Sequence, residues 1–239
     1  MKASWRIPVD FPGINERELH IWKADIRTSR PFDTQILDEV ETARMRRFHF
    51  ESDRMRFIIS HQSLRQVLAG YLKIAPGDIE YSYTKFGKPY LKINDQYGDI
   101  EFNLSHSGDI VLIGVTKSEQ VGIDVEKIKP IPDVDQLVQQ YFAAGEQMDL
   151  SQLSGPEKVK AFFRCWTRKE AVIKACGEGL SMPLDSFRVS LLPGELPRLI
   201  ESEDDNKWML IDINPADGYA AAAAAPIESI EVCYYSTNF

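Results

Sequence analysis

The chain has only three cysteines, and their spacing builds no framework. Cys165, Cys176 and Cys233 are odd in number and form no Cys-x-x-Cys pair. This argues against a disulfide scaffold or a thiolate zinc site and for reduced thiols in a cytoplasmic protein. Long apolar runs are also missing. The most uniform one, from Tyr219 to Ala225, is far shorter than the ~20 residues of a membrane helix, so no membrane role is expected. Arg6, Asp10, Glu16 and Arg17 interrupt the start before a signal-peptide core can form. No Gly-, Ser- or Pro-rich linker and no low-complexity tail divides the chain. Positive charge is not in excess: 28 Lys and Arg face 36 Asp and Glu, a net of −8. Broad, non-specific nucleic-acid binding is therefore not expected, although a local basic pocket for phosphate remains compatible. The run Arg44, Arg46, Arg47, Arg54 and Arg56 reads equally well as the solvated side of a helix.

What is present is a folding sequence of 239 residues, 44% of them hydrophobic, enough for an ordinary core. Apolar Ile36, Leu37, Val40, Met45 and Phe48 among charges predict a helix over 34–50. A second helix is expected over 52–72, closed by Pro76-Gly77. Strands are expected around Tyr81–Tyr83, over 100–104, 110–116 and 121–125, with a polar connection at 105–109 and a turn at Gly87-Lys88-Pro89. After Lys127–Pro132 come helices over 133–141 and 156–176. From Phe187 to Tyr235 the pattern is strands again, with turns at Pro193-Gly194, Pro215 and Gly218. Ala220–Ala225 has helical propensity, but Gly218 and Pro226 bracket it so tightly that a buried strand is expected. Helices followed by strands thus occur twice, which predicts an α+β fold of two similar halves, 1–118 and 119–239.

The chemistry concentrates in Gly122-Ile123-Asp124-Val125-Glu126. On a strand, residues two apart share a face, so Asp124 and Glu126 project together. Two adjacent carboxylates are tolerable when solvated or when a cation lies between them. Oxygen-only ligands of this kind suit Mg²⁺. On the 156–176 helix, Glu170 and Lys174 are four apart and share a face, beside a bulky stripe containing Trp166 and Ile173. A third carboxylate next to an ammonium is what a metal–diphosphate site requires. Ser105 and His106 follow a strand. Strand neighbours point to opposite faces, so hydrogen bonding to a phosphate or nucleoside fits them better than a Ser–His nucleophile.

In order along the chain, Gly87-Lys88-Pro89, Phe102-Asn103-Leu104-Ser105-His106-Ser107, Gly122-Ile123-Asp124-Val125-Glu126 and Trp166-Thr167-Arg168-Lys169-Glu170 with Lys174 resemble the phosphopantetheinyl transferase superfamily, Sfp type. Arg46-Arg47-Phe48 with Asp53 and Arg56, Gly177–Ser181 and Pro183–Phe187 add to the likeness, which spans roughly residues 40–225. The resemblance implies two α+β halves related by pseudo-twofold symmetry, with coenzyme A in the cleft between them. It implies Asp124, Glu126 and Glu170 as Mg²⁺ ligands, and Lys174 and His106 on coenzyme A phosphates. Ser105 and Lys88 would lie near the nucleoside, and Arg44 near the 3′-phosphate. Glu41 stands where some relatives place a lysine, and Phe57 where a small hydroxyl residue can occur; Arg56 is the expected compensation. The implied reaction moves phosphopantetheine onto a serine of an apo acyl or peptidyl carrier protein and releases 3′,5′-adenosine diphosphate. Glu170 is the expected base and Glu146 the second candidate. A monomer is expected, since two fused halves leave no need of a second chain to complete the site.

Overall fold

The computed structural model describes residues 4–29, 34–92, 99–177, 182–202, 208–227 and 229–237. Within them the fold is α+β, as the sequence predicts. The N-terminal half contains β1 (Glu18–Asp25), α1 (Glu39–Met45), α2 (Glu51–Leu72), β2 (Tyr81–Tyr83), β3 (Pro89–Leu91), β4 (Ile100–Ser107) and β5 (Ile110–Lys117). Then follow β6 (Gly122–Lys127), α3 (Val134–Tyr141), α4 (Ala144–Ser151), α5 (Gly155–Cys176), β7 (Arg188–Val189), β8 (Leu199–Glu201), β9 (Met209–Ile213), β10 (Tyr219–Ala225) and β11 (Glu231–Ser236).

Two sheets lie between two long helices. The first has the order β11-β1-β5-β4, the second β6-β10-β9. Strand alternation sorts the side chains into layers. Trp22 and Ala24 of β1, Val111, Ile113 and Val115 of β5 and Phe102 of β4 pack with Leu64, Val67 and Leu68 of α2. The opposite faces, Leu19 and Ile21 of β1 and Ile110 and Leu112 of β5, meet Ile123 and Val125 of β6 and Ala221 and Ala223 of β10. On the far side, Ala222 and Ala224 pack with Ala171, Val172 and Ala175 of α5. The order of layers is therefore α2, first sheet, second sheet, α5. The alanine run of β10 is the buried strand expected of it. Without bulk beyond Cβ, it lets α5 lie close to the sheet.

The structure departs from the sequence pattern in three places. The helix expected over 34–50 is α-helical only over Glu39–Met45, because Asp38 and Glu41 form a reciprocal capping box that starts it there. β4 continues through the polar residues to Ser107, and only Gly108 (φ 57°) and Asp109 make the turn. Finally, β11 pairs in parallel with β1, Glu18 opposite Glu231, so the last strand of the chain completes the sheet of the first half. Glu178–Ser181 of the Gly177–Ser181 motif lie outside the described residues.

Candidate active site

β4 and β6 are edge strands of different sheets, and the seam between them builds the site. Asn103, Ser105 and Ser107 alternate along one face of β4 and stand in for a missing strand partner. Asn103 Oδ1 accepts from Ile123 N (2.9 Å), Ser105 Oγ from Val125 N (3.3 Å) and Ser107 Oγ from Lys127 N (3.1 Å). The N–H groups at the free edge of β6 are thereby satisfied by side chains. The two hydroxyls then donate hydrogen bonds to the acids of β6. Ser105 donates to Asp124 Oδ1 at 3.0 Å, and Ser107 to Glu126 Oε2 at 2.7 Å. The Phe-Asn-Leu-Ser-His-Ser run is thus a ruler that sets Asp124 and Glu126.

Gly122 has a different task. A Cβ there would collide with the carbonyl oxygen of Ala171 and the amide of Ala175, both backbone atoms of α5. The glycine lets β6 touch α5, and this contact brings Lys174 onto Asp124. The Lys174 ammonium lies 2.6 Å from Asp124 Oδ1 and 3.2 Å from Ser105 Oγ. Ser105 thus donates once and accepts twice, the full capacity of a hydroxyl. Glu170 sits one turn before Lys174. Burial pushes its carboxyl pKa up, Lys174 pulls it back, and Asp124 and Glu126 push it up further. Glu126 is raised in the same way, first by burial and then by Asp124, with the Ser107 hydrogen bond and Lys174 opposing. The three acids therefore share one electrostatic neighbourhood.

No three His, Cys, Asp or Glu side chains among the described residues converge into a closed metal-binding set. The ammonium of Lys174 fills the cationic role beside Asp124 instead. One oxygen of that carboxylate remains: Asp124 Oδ2 is buried without a hydrogen-bond partner. Such an atom is rare in a folded protein, and a hard cation would satisfy it. The all-oxygen donor set fits Mg²⁺.

A cleft of about 200 Å³ opens beside Lys174, lined also by Phe86, Gly87, Lys88, Pro89, Asn103 and Gly177. This is less than the ~300–1,000 Å³ of a whole ligand pocket, so it suits one part of a longer ligand. Lys88 lines it with its stem while its ammonium bonds the carbonyls of Val121 and Ala175, each at 3.3 Å. Burial lowers the Lys88 pKa. Larger depressions of about 320 and 590 Å³ lie elsewhere, the first lined by Arg164, Asp212 and Asp217, the second by Arg17, Lys117 and Pro226. Neither contains the acids of the seam, so chemistry rather than size picks the site.

His106 points from β4 to the face opposite Ser105 and Ser107, the side on which α2 packs. Its side chain is reached by solvent, yet enclosing protein atoms lower its pKa, and the nearby His61, Lys174 and Arg56 lower it further. Arg56 lies at the same turn: its Nε donates to Gly108 O at 3.1 Å, and its Nη1 to Asp53 at 2.7 Å. Arg44 is placed differently, with its guanidinium over the Tyr83 ring, 4.9 Å from the centroid, and it is not among the charges that His106 senses most.

Glu146, the second candidate base, is enclosed by protein. It is fully buried, pairs with Lys169 at 2.9 Å and accepts from Val189 N and Ala143 N. Lys169 in turn donates to the carbonyls of Leu184 and Phe187. The pair pins α4 and the 184–187 turn to α5, with both side chains inaccessible. Sequence reasoning missed Asn103 and Ser107 as positioning groups, although polar residues at every second position beside an alternating acidic strand were the available signal.

Comparison with known proteins decides what this seam belongs to. The profile of the 4′-phosphopantetheinyl transferase superfamily matches residues 120–224, and that of the 4′-phosphopantetheinyl transferase N-terminal region matches residues 22–118. The 4′-phosphopantetheinyl transferase HetI of Nostoc sp. is 34% identical over 220 residues, covering 92% of this chain and 85% of HetI. The chain belongs to the 4′-phosphopantetheinyl transferase superfamily. It is an Sfp-like enzyme of that family: the 4′-phosphopantetheinyl transferase Sfp of Bacillus subtilis is 34% identical over 185 residues, 76% of this chain and 79% of Sfp. Among solved structures, a holo-(acyl-carrier-protein) synthase from Bacillus anthracis in complex with CoA (3′,5′-ADP) is 20% identical. It covers 44% of this chain and 93% of its own, with a TM-score of 0.39. The family boundary near residue 119 coincides with the turn between β5 and β6, the strands on either side of the sheet-to-sheet junction.

Proposed function

We propose that this phosphopantetheinyl transferase takes the phosphopantetheine arm from coenzyme A to a serine of an apo acyl or peptidyl carrier protein, depends on Mg²⁺ and releases 3′,5′-adenosine diphosphate. The observation that carries this reading is the Ser105–Asp124–Lys174 cluster beside the Lys88–Gly177 cleft. It offers a cation, an unsatisfied carboxylate oxygen and a recess for a nucleoside in one place. Asp124, Glu126 and Glu170 would hold Mg²⁺, which offsets charge on the diphosphate oxygens.

Lys174 bears on the same diphosphate and stabilises the charge that develops as the bond from the β-phosphorus to the bridging oxygen breaks. Its pairing with Asp124 keeps the ammonium in place before substrate arrives. Glu170 takes the proton of the attacking serine hydroxyl. His106 and Arg56, at the β4–β5 turn, face the phosphates from the α2 side. No helix among the described residues is long and apolar enough to cross a membrane. That the enzyme is a cytoplasmic monomer that meets its carrier in solution is part of the same proposal. Glu170→Gln tests the assignment. The variant should fold with unchanged circular dichroism and lose transfer by ~10²-fold or more; near-normal transfer would contradict it.

A further inference from the structure

In the pairing of β10 with β6, Tyr219 stands opposite Lys127 and Ala220 opposite Glu126. Faces alternate along a strand. Ala220 packs on the α5 side, and Tyr219 packs on the side of the first sheet with Ile110 and Leu112. There Tyr219 and Lys127 meet the turn between β4 and β5. Asp109 N donates to the Tyr219 hydroxyl at 3.0 Å, and Lys127 Nζ lies 3.6 Å from Asp109 Oδ2. Gly108 is packed as closely. A Cβ added there would stand 2.6 Å from the Tyr219 hydroxyl oxygen and 2.7 Å from Lys127 Cδ. Ser107 Oγ accepts from Lys127 N and donates to Glu126 Oε2. Three consecutive residues, 107–109, are thus held against one end of the second sheet.

The same turn has separate supports in the first half. Ile26 N donates to Asp109 O at 2.8 Å, and Arg56 Nε to Gly108 O at 3.1 Å. These bonds keep the turn folded and attached to β1 and α2, but they do not reach β6. The bond from Asp109 N to Tyr219 runs instead from the turn's backbone to the second sheet. Ser107 sits two residues before Asp109. A turn released from Tyr219 would carry Ser107 away from the end of β6, and the 2.7 Å bond from Ser107 to Glu126 tolerates little lengthening.

We infer that Tyr219 is a positioning residue for metal binding: its hydroxyl fixes the β4–β5 turn to the second sheet, so that Ser107 holds Glu126 where a divalent cation needs it. The inference rests on the Mg²⁺ reading proposed above. It assigns to the first residue of the alanine strand a task in the site that β6 carries next to it. Tyr219 acts through Ser107 and touches neither cation nor substrate.

The test is a double-mutant cycle. Mg²⁺ is titrated calorimetrically into the whole protein saturated with coenzyme A, for the wild type, Tyr219→Phe, Ser107→Ala and the double variant, and unfolding midpoints are measured alongside. Phenylalanine keeps the ring and removes only the hydroxyl. Tyr219→Phe should weaken Mg²⁺ binding about fivefold, less than the ~10-fold expected of Ser107→Ala, because it acts one step further from the ligand. The double variant should bind Mg²⁺ no more weakly than Ser107→Ala, since Tyr219 has no route to Glu126 once the Ser107 hydroxyl is gone. Unchanged Mg²⁺ affinity in Tyr219→Phe overturns the inference, whether or not the unfolding midpoint falls. Losses that multiply in the double variant also overturn it, because they show that Tyr219 acts independently of Ser107. A wild type that binds coenzyme A but no Mg²⁺ overturns the Mg²⁺ reading itself, and this inference with it.

Discussion

The ammonium of Lys174 lies 2.6 Å from Asp124 Oδ1, while Asp124 Oδ2 is buried without a hydrogen-bond partner. One carboxylate is thus half satisfied by the protein and half left for something else. Mg²⁺ with coenzyme A should fill that gap and stabilise the fold, by about 2.7 kcal/mol at a hundredfold excess over Kd. Thermal unfolding with and without Mg²⁺ reads this out. Asp124→Asn should abolish the Mg²⁺-dependent rise; a rise equal to wild type would show that Asp124 is not a ligand.

Ser107 carries the second half of the seam. Its hydroxyl donates to Glu126 and accepts from Lys127 N. Ser107→Ala should leave the fold intact, since the Lys127 end of β6 is exposed, but free Glu126 to swing. Mg²⁺ or Mn²⁺ affinity should fall by ~10-fold, as is typical when a partner that orients a metal ligand is lost. Titration calorimetry checks it, and unaltered metal affinity would count against the positioning role.

Gly122 marks the closest approach of strand and helix. An added methyl would meet α5 backbone atoms that have no rotamer by which to retreat. Gly122→Ala should destabilise the protein by about 1–3 kcal/mol through overpacking and displace Lys174 from Asp124. The expected reading is a lower unfolding midpoint together with a loss of transfer greater than the unfolded fraction explains. A variant of normal stability and activity would refute the contact.

Glu146 and Lys169 form an ion pair with both side chains inaccessible. Removing one partner leaves the other charge buried, at a cost of about 3–5 kcal/mol. Glu146→Ala should therefore unfold at markedly lower denaturant. The fraction that stays folded at low temperature should keep its turnover. Loss of turnover in fully folded Glu146→Ala would instead favour Glu146 as a base.

Acid should act through Glu41. Burial raises its pKa, but the His61 hydrogen bond, the charges of His61 and Arg65 and the Asp38 amide outweigh this, so the net shift is downward from 4.5. A carboxyl depressed in the folded state contributes stability that is complete above its unfolded pKa. That contribution is lost as pH falls below about 4.5 and through the lower folded value. Stability measured between pH 6 and pH 3 should fall less steeply in a folded Glu41→Gln variant than in the wild type. Parallel curves would show that Glu41 is not linked to acid unfolding.

The parts of the fold carried by local pattern were legible in the sequence. The expected 52–72 and 156–176 helices match Glu51–Leu72 and Gly155–Cys176, and the alanine strand of β10 was readable from its brackets. The α4 helix was not, because its eight residues AGEQMDLS contain little apolar periodicity and its place is set by the buried Glu146–Lys169 pair. The pairing of β11 with β1 joins chain segments more than 200 residues apart, a register that no local pattern encodes. Within the site, the carboxylates and Lys174 were legible because their spacing repeats strand and helix periods. Asn103 and Ser107 were not, since their roles arise from a seam that exists only once the two sheets have met.

The most direct test of the account is to mix the protein with coenzyme A, Mg²⁺ and an apo carrier protein and weigh the carrier by mass spectrometry. The account predicts that the carrier gains one phosphopantetheine on its serine, that 3′,5′-adenosine diphosphate appears in equal amount, and that EDTA or Glu170→Gln prevents both. No mass gain across acyl and peptidyl carriers, with coenzyme A bound and Mg²⁺ present, would contradict it.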